Sequence, residues 1–188
     1  MRVSDILNPY YSSAPFFLLI VIASTKSLMA GIIYYVVLVL FFSMLPMWDI
    51  NRRIKQGSVS DTHIDRREDR IKPFLFSLAC AVAGLAAVYI VGAPAAIKAV
   101  SWSVVVTGAI VTITTAVWKV SLHAAGISAI ALILVVLFGW VALPVVFFVP
   151  LVYWARLTLN KHTPAQLLAG SLIAVGVTAG VFRWFRLI

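Results

Sequence analysis

Long stretches without a single charged side chain recur along this sequence, and they constrain its fold more than any other feature. Charge-free apolar runs cover 27–48, 73–97, 99–118, 120–155 and 164–182. A membrane-spanning helix needs roughly 20 mainly apolar residues, so runs of this length and number predict a chain that crosses a bilayer repeatedly. Composition closes off the alternative. Apolar residues make up 63% and charged residues 11% of the chain, where soluble domains run near ~45–50% and ~25%. Mean hydropathy is +1.06. There is too little polar surface to cover a water-soluble globule, which excludes a soluble enzyme, a disordered chain and a disulfide scaffold. The single cysteine, Cys80, lies in an apolar run and is expected to be a small packing residue. The expected fold class is therefore all-α, a polytopic transmembrane bundle forming one domain over 1–188, set in the cell membrane. No removable leader is expected, because the first apolar stretch lacks a small-residue cleavage site and runs into the next.

The run 120–155 is too long for one crossing and is interrupted near Trp140 to Pro144, so it divides into two spans. The first apolar stretch, about 10–25, is short and carries Pro15, Ser24 and Thr25. It is either a full span or a re-entrant helix. The cutting gives seven helices, about 10–25, 28–47, 73–92, 98–118, 122–140, 143–158 and 164–182, or six crossings if the first does not traverse. Tryptophans fit this register. Trp48, Trp118 and Trp154 fall near span ends on one side, face A, and Trp102, Trp140 and Trp184 on the other, face B, the two-belt pattern of interfacial aromatics. Face A also receives the polar loop 49–72, the junction around Lys119 and the segment Arg156 to His162. Cytoplasmic loops carry excess Lys and Arg, but the face-A cations also sit where a phosphate site would want them, so the side occupied by face A stays open.

The net charge is +9. Because its cations cluster between apolar runs, the expected partners are membrane lipids and phosphorylated substrates, not nucleic acid. Three clusters return to face A: Asp65-Arg66-Arg67-Glu68-Asp69-Arg70-Ile71-Lys72-Pro73, then Lys119-Val120-Ser121-Leu122-His123, then Arg156 to Gln166. Ionisable residues at membrane depth are costly and point to function. A phosphate ester needs a nucleophile, a proton for the leaving group and positive charge around the phosphoryl oxygens. Histidine suits the first two tasks. His162 precedes Thr163-Pro164, a helix start, and His123 lies in the first turn of its span with Ser121 as the expected N-cap. Both therefore sit near helix N-termini, which attract anions. Arg156 can grip phosphate bidentately, with Lys72, Lys119 and Arg70 adding charge. Gln166 also completes a Thr-x-x-Gln capping box. His63 is expected to be a solvated loop residue. No cluster of Asp, Glu or Cys has metal-ligand spacing, so neither metal nor cofactor is expected.

These residues resemble the type 2 phosphatidic acid phosphatases, whose fold is related to vanadium haloperoxidases. Arg156 and His162 keep that family's Arg-five-His spacing, Ser121 and His123 keep its Ser-x-His, and Lys72-Pro73 occupies its Arg-Pro place. Ala165-Gln166-Leu167-Leu168-Ala169-Gly170 looks like the start of its last helix, and the likeness spans roughly 65–171. Leu122, Val120 and Ala155 depart from the motif glycine, proline and serine, and Gln166 stands where the family has an Asp that orients the nucleophile. The resemblance implies His162 as nucleophile, His123 as general acid, Gln166 as the orienting group, and Arg156, Ser121, Lys119, Lys72 and Arg70 as phosphate ligands. The implied activity is hydrolysis of a lipid phosphate or diphosphate through a phosphohistidine. Transfer to another hydroxyl, or lipid-phosphate binding or transport without catalysis, are the alternatives. Gln166 orients His162 alone in the favoured account; in the other, Asp65, Glu68 or Asp69 supplies the missing negative charge.

Overall fold

A computed structural model describes residues 9–59, 64 and 67–188; His63, Asp65 and Arg66 lie outside them. Among the described residues every regular element is helical. In a bilayer core no water is present to satisfy backbone groups, so each segment must close its hydrogen bonds within itself. The helices are α1 (Pro9–Ser24), α2 (Leu28–Lys55), α3 (Ile71–Ile90), α4 (Ala95–Val117), α5 (Leu122–Phe138), α6 (Phe148–Thr158) and α7 (Pro164–Trp184). All seven apolar segments expected from the sequence are helical. Five continuous helical stretches, Leu28–Lys55, Glu68–Ile90, Ala95–Val117, Leu122–Thr158 and Pro164–Trp184, are long and apolar enough to cross a membrane, and α1 is a shorter apolar helix.

The stretch Leu122–Thr158 has 37 residues, about 55 Å at ~1.5 Å per residue against a hydrocarbon core of ~30 Å. It does not run straight. Helix α5 ends at Gly139 with φ 66° and ψ −148°, a conformation open essentially to glycine alone. A 3₁₀ segment, Gly139–Phe147, then carries the chain into α6, which packs back against α5. The charges flanking both ends, Lys119 and Arg156, act on the same histidine, His162. The stretch is therefore a helical hairpin with both ends at face A, as the expected break near Trp140 requires.

Helix α2 differs from expectation. It was expected to end near 47 and give way to a polar loop, yet it stays helical to Lys55. Asp49, fully buried, bonds Arg52 Nη2 at 2.9 Å and Arg53 Nε at 2.6 Å, one helical turn away where such pairs support a helix. The helix stops at Gly57, φ 70°, through a Schellman turn in which Ser58 N–H bonds Arg53 C=O at 3.0 Å and Gly57 N–H bonds Ile54 C=O at 3.0 Å. All six tryptophans are exposed, together with apolar side chains such as Ile90, Ile113 and Leu172. An outer surface this apolar suits lipid, not water.

Candidate active site

Helix α6 ends two residues after Arg156, which lies in its last turn, and that ending sets the geometry. Asn160 adopts φ 51°; its N–H bonds Leu157 C=O at 2.9 Å, and Lys161 N–H bonds Arg156 C=O at 3.1 Å. This is a Schellman turn with Asn in the left-handed position, where its short polar side chain is tolerated. It reverses the chain so that His162 comes back toward Arg156, which is why the two are spaced as they are in sequence. Thr163 then caps α7: its hydroxyl accepts from Gln166 N–H at 3.4 Å, and Gln166 Oε1 accepts from Thr163 N–H at 3.2 Å, the expected capping box.

That same Oε1 lies 3.0 Å from His162 Nδ1. Because it accepts a backbone N–H, this atom is the amide oxygen and not the nitrogen, so Nδ1 must be the donor. The proton of neutral His162 is held on Nδ1, and the lone pair is on Nε2. The capping and orienting roles of Gln166 are thus both performed, by one oxygen. Glu68 is exposed and 3.4 Å from Arg67, and Asp69 is exposed; neither occupies the Nδ1 position that Gln166 fills.

His162 is buried, and its pKa is lowered from 6.5 to about 3. Burial is the largest cause, followed by the positive charges of Arg70, Arg156 and Lys119, against which the Gln166 hydrogen bond works in the raising direction. The imidazole is therefore neutral and its Nε2 lone pair available throughout the physiological range. Three cations from three separate parts of the sequence act on one ring, and a field that repels imidazolium attracts an anion placed beside it.

Arg156 and Arg70 are both buried. Arg70 Nε donates to Ile64 C=O at 2.7 Å and Nη1 to Val120 C=O at 3.3 Å, while Arg67 Nη1 donates to Val117 C=O at 2.6 Å. The short 3₁₀ turn Glu68–Arg70 thereby grips the linker that carries Lys119 and Ser121. Ser121, fully buried, caps α5 by accepting from Ala124 N–H at 3.3 Å, and its own N–H donates to Gln166 C=O at 3.3 Å. Its hydroxyl proton still has a bond to give. A Cβ built on Gly170 would meet Ser121 O at 2.5 Å, so only glycine lets α7 approach the start of α5 this closely. His123 is half-buried in the first turn of α5, two residues beyond that cap. Lys72 is exposed in the first turn of α3.

Sequence reasoning missed a hydroxyl node beneath these residues. Tyr153 Oη donates to Ser171 Oγ at 2.7 Å, Ser128 Oγ to the same atom at 2.8 Å, and Ser171 Oγ to Ala124 C=O at 3.4 Å. Helices α5, α6 and α7 are joined there. The available signal was helical spacing, since Tyr153 precedes Arg156 by three residues and Ser128 follows Ser121 by seven.

Comparison with protein-family models, curated proteins and solved structures returns no match for this chain.

Proposed function

We propose that the protein is an integral membrane phosphatase that hydrolyses a lipid phosphate or diphosphate at the bilayer interface. The observation that carries the reading is the state of His162: a neutral ring held by Gln166 with its Nε2 lone pair free, beside three converging cations. Nε2 attacks phosphorus and the P–O bond to the lipid breaks. The departing oxygen takes a proton from protonated His123; water then attacks phosphorus, giving one proton back to His123 as the P–N bond of the phosphohistidine breaks, which returns neutral His162 and inorganic phosphate. Arg156, Arg70 and Lys119 supply the charge that stabilises the phosphoryl oxygens, the usual dominant contribution in such sites. The likeness to type 2 phosphatidic acid phosphatases supports the same roles. An interfacial site also matches the chemistry, because the lipid tail stays in hydrocarbon while the head group meets the cations.

The test is phosphate release by purified protein from a panel of lipid phosphates, with and without a metal chelator. Release that persists in chelator and disappears in His162→Ala supports the reading. Turnover of His162→Ala within tenfold of wild type would remove His162 as nucleophile, where loss of a nucleophile is expected to cost several orders of magnitude.

A further inference from the structure

We propose that the groove between the end of α2 and the start of α3 at face A binds the phosphodiester head group of an anionic bilayer lipid, through residues that take no part in the proposed chemistry. The site does not depend on the phosphatase reading. Helix α2 ends at face A and α3 begins there, so the two run antiparallel, and they pack together along this stretch. Trp48 of α2 meets Phe76 of α3, with ring centroids 6.4 Å apart. One helical turn further toward face A, each helix carries a cation on the same side as its ring. These are Arg52 on α2, four residues after Trp48, and Lys72 on α3, four residues before Phe76. The Arg52 guanidinium lies over the Trp48 ring, 5.3 Å from its centroid. Lys55 continues the α2 row, seven residues beyond Trp48. Trp48, Arg52, Lys55 and Lys72 are all exposed. An aromatic pair thus forms the floor of one groove, and three cations form its rim.

Depth and charge identify the ligand. Interfacial tryptophan sits at head-group level. Arg52 and Lys55 lie about 6 and 10 Å beyond Trp48 along the helix, at ~1.5 Å per residue. The head-group layer adds about 5–8 Å to each side of the hydrocarbon core, so these cations stand where lipid phosphates are. Asp49 explains why the charge there is held in place. Fully buried on the inner side of α2, it accepts from Arg52 Nη2 and Arg53 Nε, so one carboxylate fixes two guanidinium groups and positive charge remains in excess. The pairing spends only part of the donor set of Arg52. It holds the flat group against Trp48, and the remaining donors are pre-set for an anion. Among the described residues, neither Lys55 nor Lys72 has an acidic partner. Cations that only set orientation in the membrane need no aromatic floor beneath them and no buried carboxylate behind them. The continuation of α2 to Lys55 gains a purpose as well, since a polar loop would not align Arg52 and Lys55 above Trp48.

The experiment is native mass spectrometry of full-length protein released from nanodiscs of equal phosphatidylglycerol and phosphatidylcholine, counting the lipid each protein retains. Phosphatidylglycerol carries a phosphodiester, so hydrolysis of a phosphate monoester does not consume it. Each Lys or Arg near the surface is worth about fivefold in attraction to anionic lipid. Wild type should therefore retain phosphatidylglycerol over phosphatidylcholine by about tenfold or more. Arg52→Gln and Lys55→Gln should each lower that preference about fivefold, and Trp48→Leu, which keeps an apolar side chain but removes the ring under Arg52, about threefold. Lys55 has no acidic partner to leave behind, so its variant separates lost binding from the folding defect that freeing Asp49 would bring. Millimolar inorganic phosphate should leave the bound lipid in place, and displacement by it would overturn the lipid assignment in favour of a free anion. Equal retention of the two lipids, or a preference unchanged in both Arg52→Gln and Lys55→Gln, overturns the site. So does a preference lost in Arg156→Gln but kept in the α2 variants, which would place the lipid among the catalytic residues. Because lipid retention and phosphate release are read separately, loss of one reading leaves the other standing.

Discussion

Replacing Gln166 by Glu changes one atom type and adds one charge beside the ring that governs the proposed chemistry. Glu keeps the capping box and can place a carboxylate oxygen where Oε1 now lies, 3.0 Å from His162 Nδ1. A unit charge about 4 Å from the ring centre contributes roughly 4 kcal/mol at an effective dielectric of ~20, and each pKa unit corresponds to ~1.36 kcal/mol. The shift is therefore about three units upward. Starting from about 3, the His162 pKa in Gln166→Glu should rise to about 6. The acid limb of kcat/KM reports ionisation of the free enzyme, and protonation of His162 abolishes its nucleophilicity. Profiles of wild type and Gln166→Glu on one aryl phosphate share the ionisation of the substrate, so their difference isolates the histidine. Below pH 6 the variant should lose rate that wild type retains, and near pH 8 it should match or exceed wild type, because the carboxylate also stabilises positive charge developing on the ring. Gln166→Leu removes the acceptor from Nδ1 altogether and should lower kcat/KM about a hundredfold at every pH, as expected when a catalytic base loses its orienting group. Superimposable acid limbs for wild type and Gln166→Glu, or a harmless Gln166→Leu, would refute the argument and leave Gln166 as a helix cap.

The other predictions concern separate parts of the site. His123→Ala should cost roughly 10²–10⁴-fold on lipid substrates and much less on an aryl phosphate, whose leaving group needs no proton; equal losses would remove His123 as general acid. Arg156→Lys should reduce kcat/KM steeply, because a point charge does not reproduce a planar fork, and an unchanged rate would place Arg156 outside the phosphate site. Gly170→Ala drives a methyl toward Ser121 O and should destabilise the protein by about 1–3 kcal/mol, read as a lower melting temperature in detergent; an unchanged melt would mean α5 and α7 separate freely. The His162 pKa is lower folded than unfolded, so its contribution to stability is complete above about 6.5 and is lost as pH falls toward about 3. Melting of His162→Gln should accordingly vary less than wild type between those limits, and identical slopes would place the titration elsewhere.

What the sequence could show follows from the range of the forces involved. The spans were legible because the penalty on a charge in hydrocarbon acts residue by residue, and even the hairpin at Gly139 was visible as an excess of length over one bilayer. The continuation of α2 to Lys55 was not, because a buried Asp49 held by two arginines looks in one dimension like the opening of a polar loop. Within the site, the spacing from Arg156 to His162 could be seen but not its cause, the left-handed turn at Asn160. Likewise the sequence offers the Thr163–Gln166 capping box and a hydrogen bond to His162 as two separate uses of one side chain, and only the fold brings both onto a single oxygen. Charge count alone could not separate Arg70 from Lys72. Arg70 turns inward to the carbonyls of Ile64 and Val120 and acts on His162, while Lys72, two residues on around the helix, is exposed. A two-residue step rotates a helical side chain by about 200°, enough to bury one cation and leave the other exposed. The same argument explains the hydroxyl node. It depends on which face of α5 meets which neighbour, and in a helix apolar all round no amphipathic stripe marks that face.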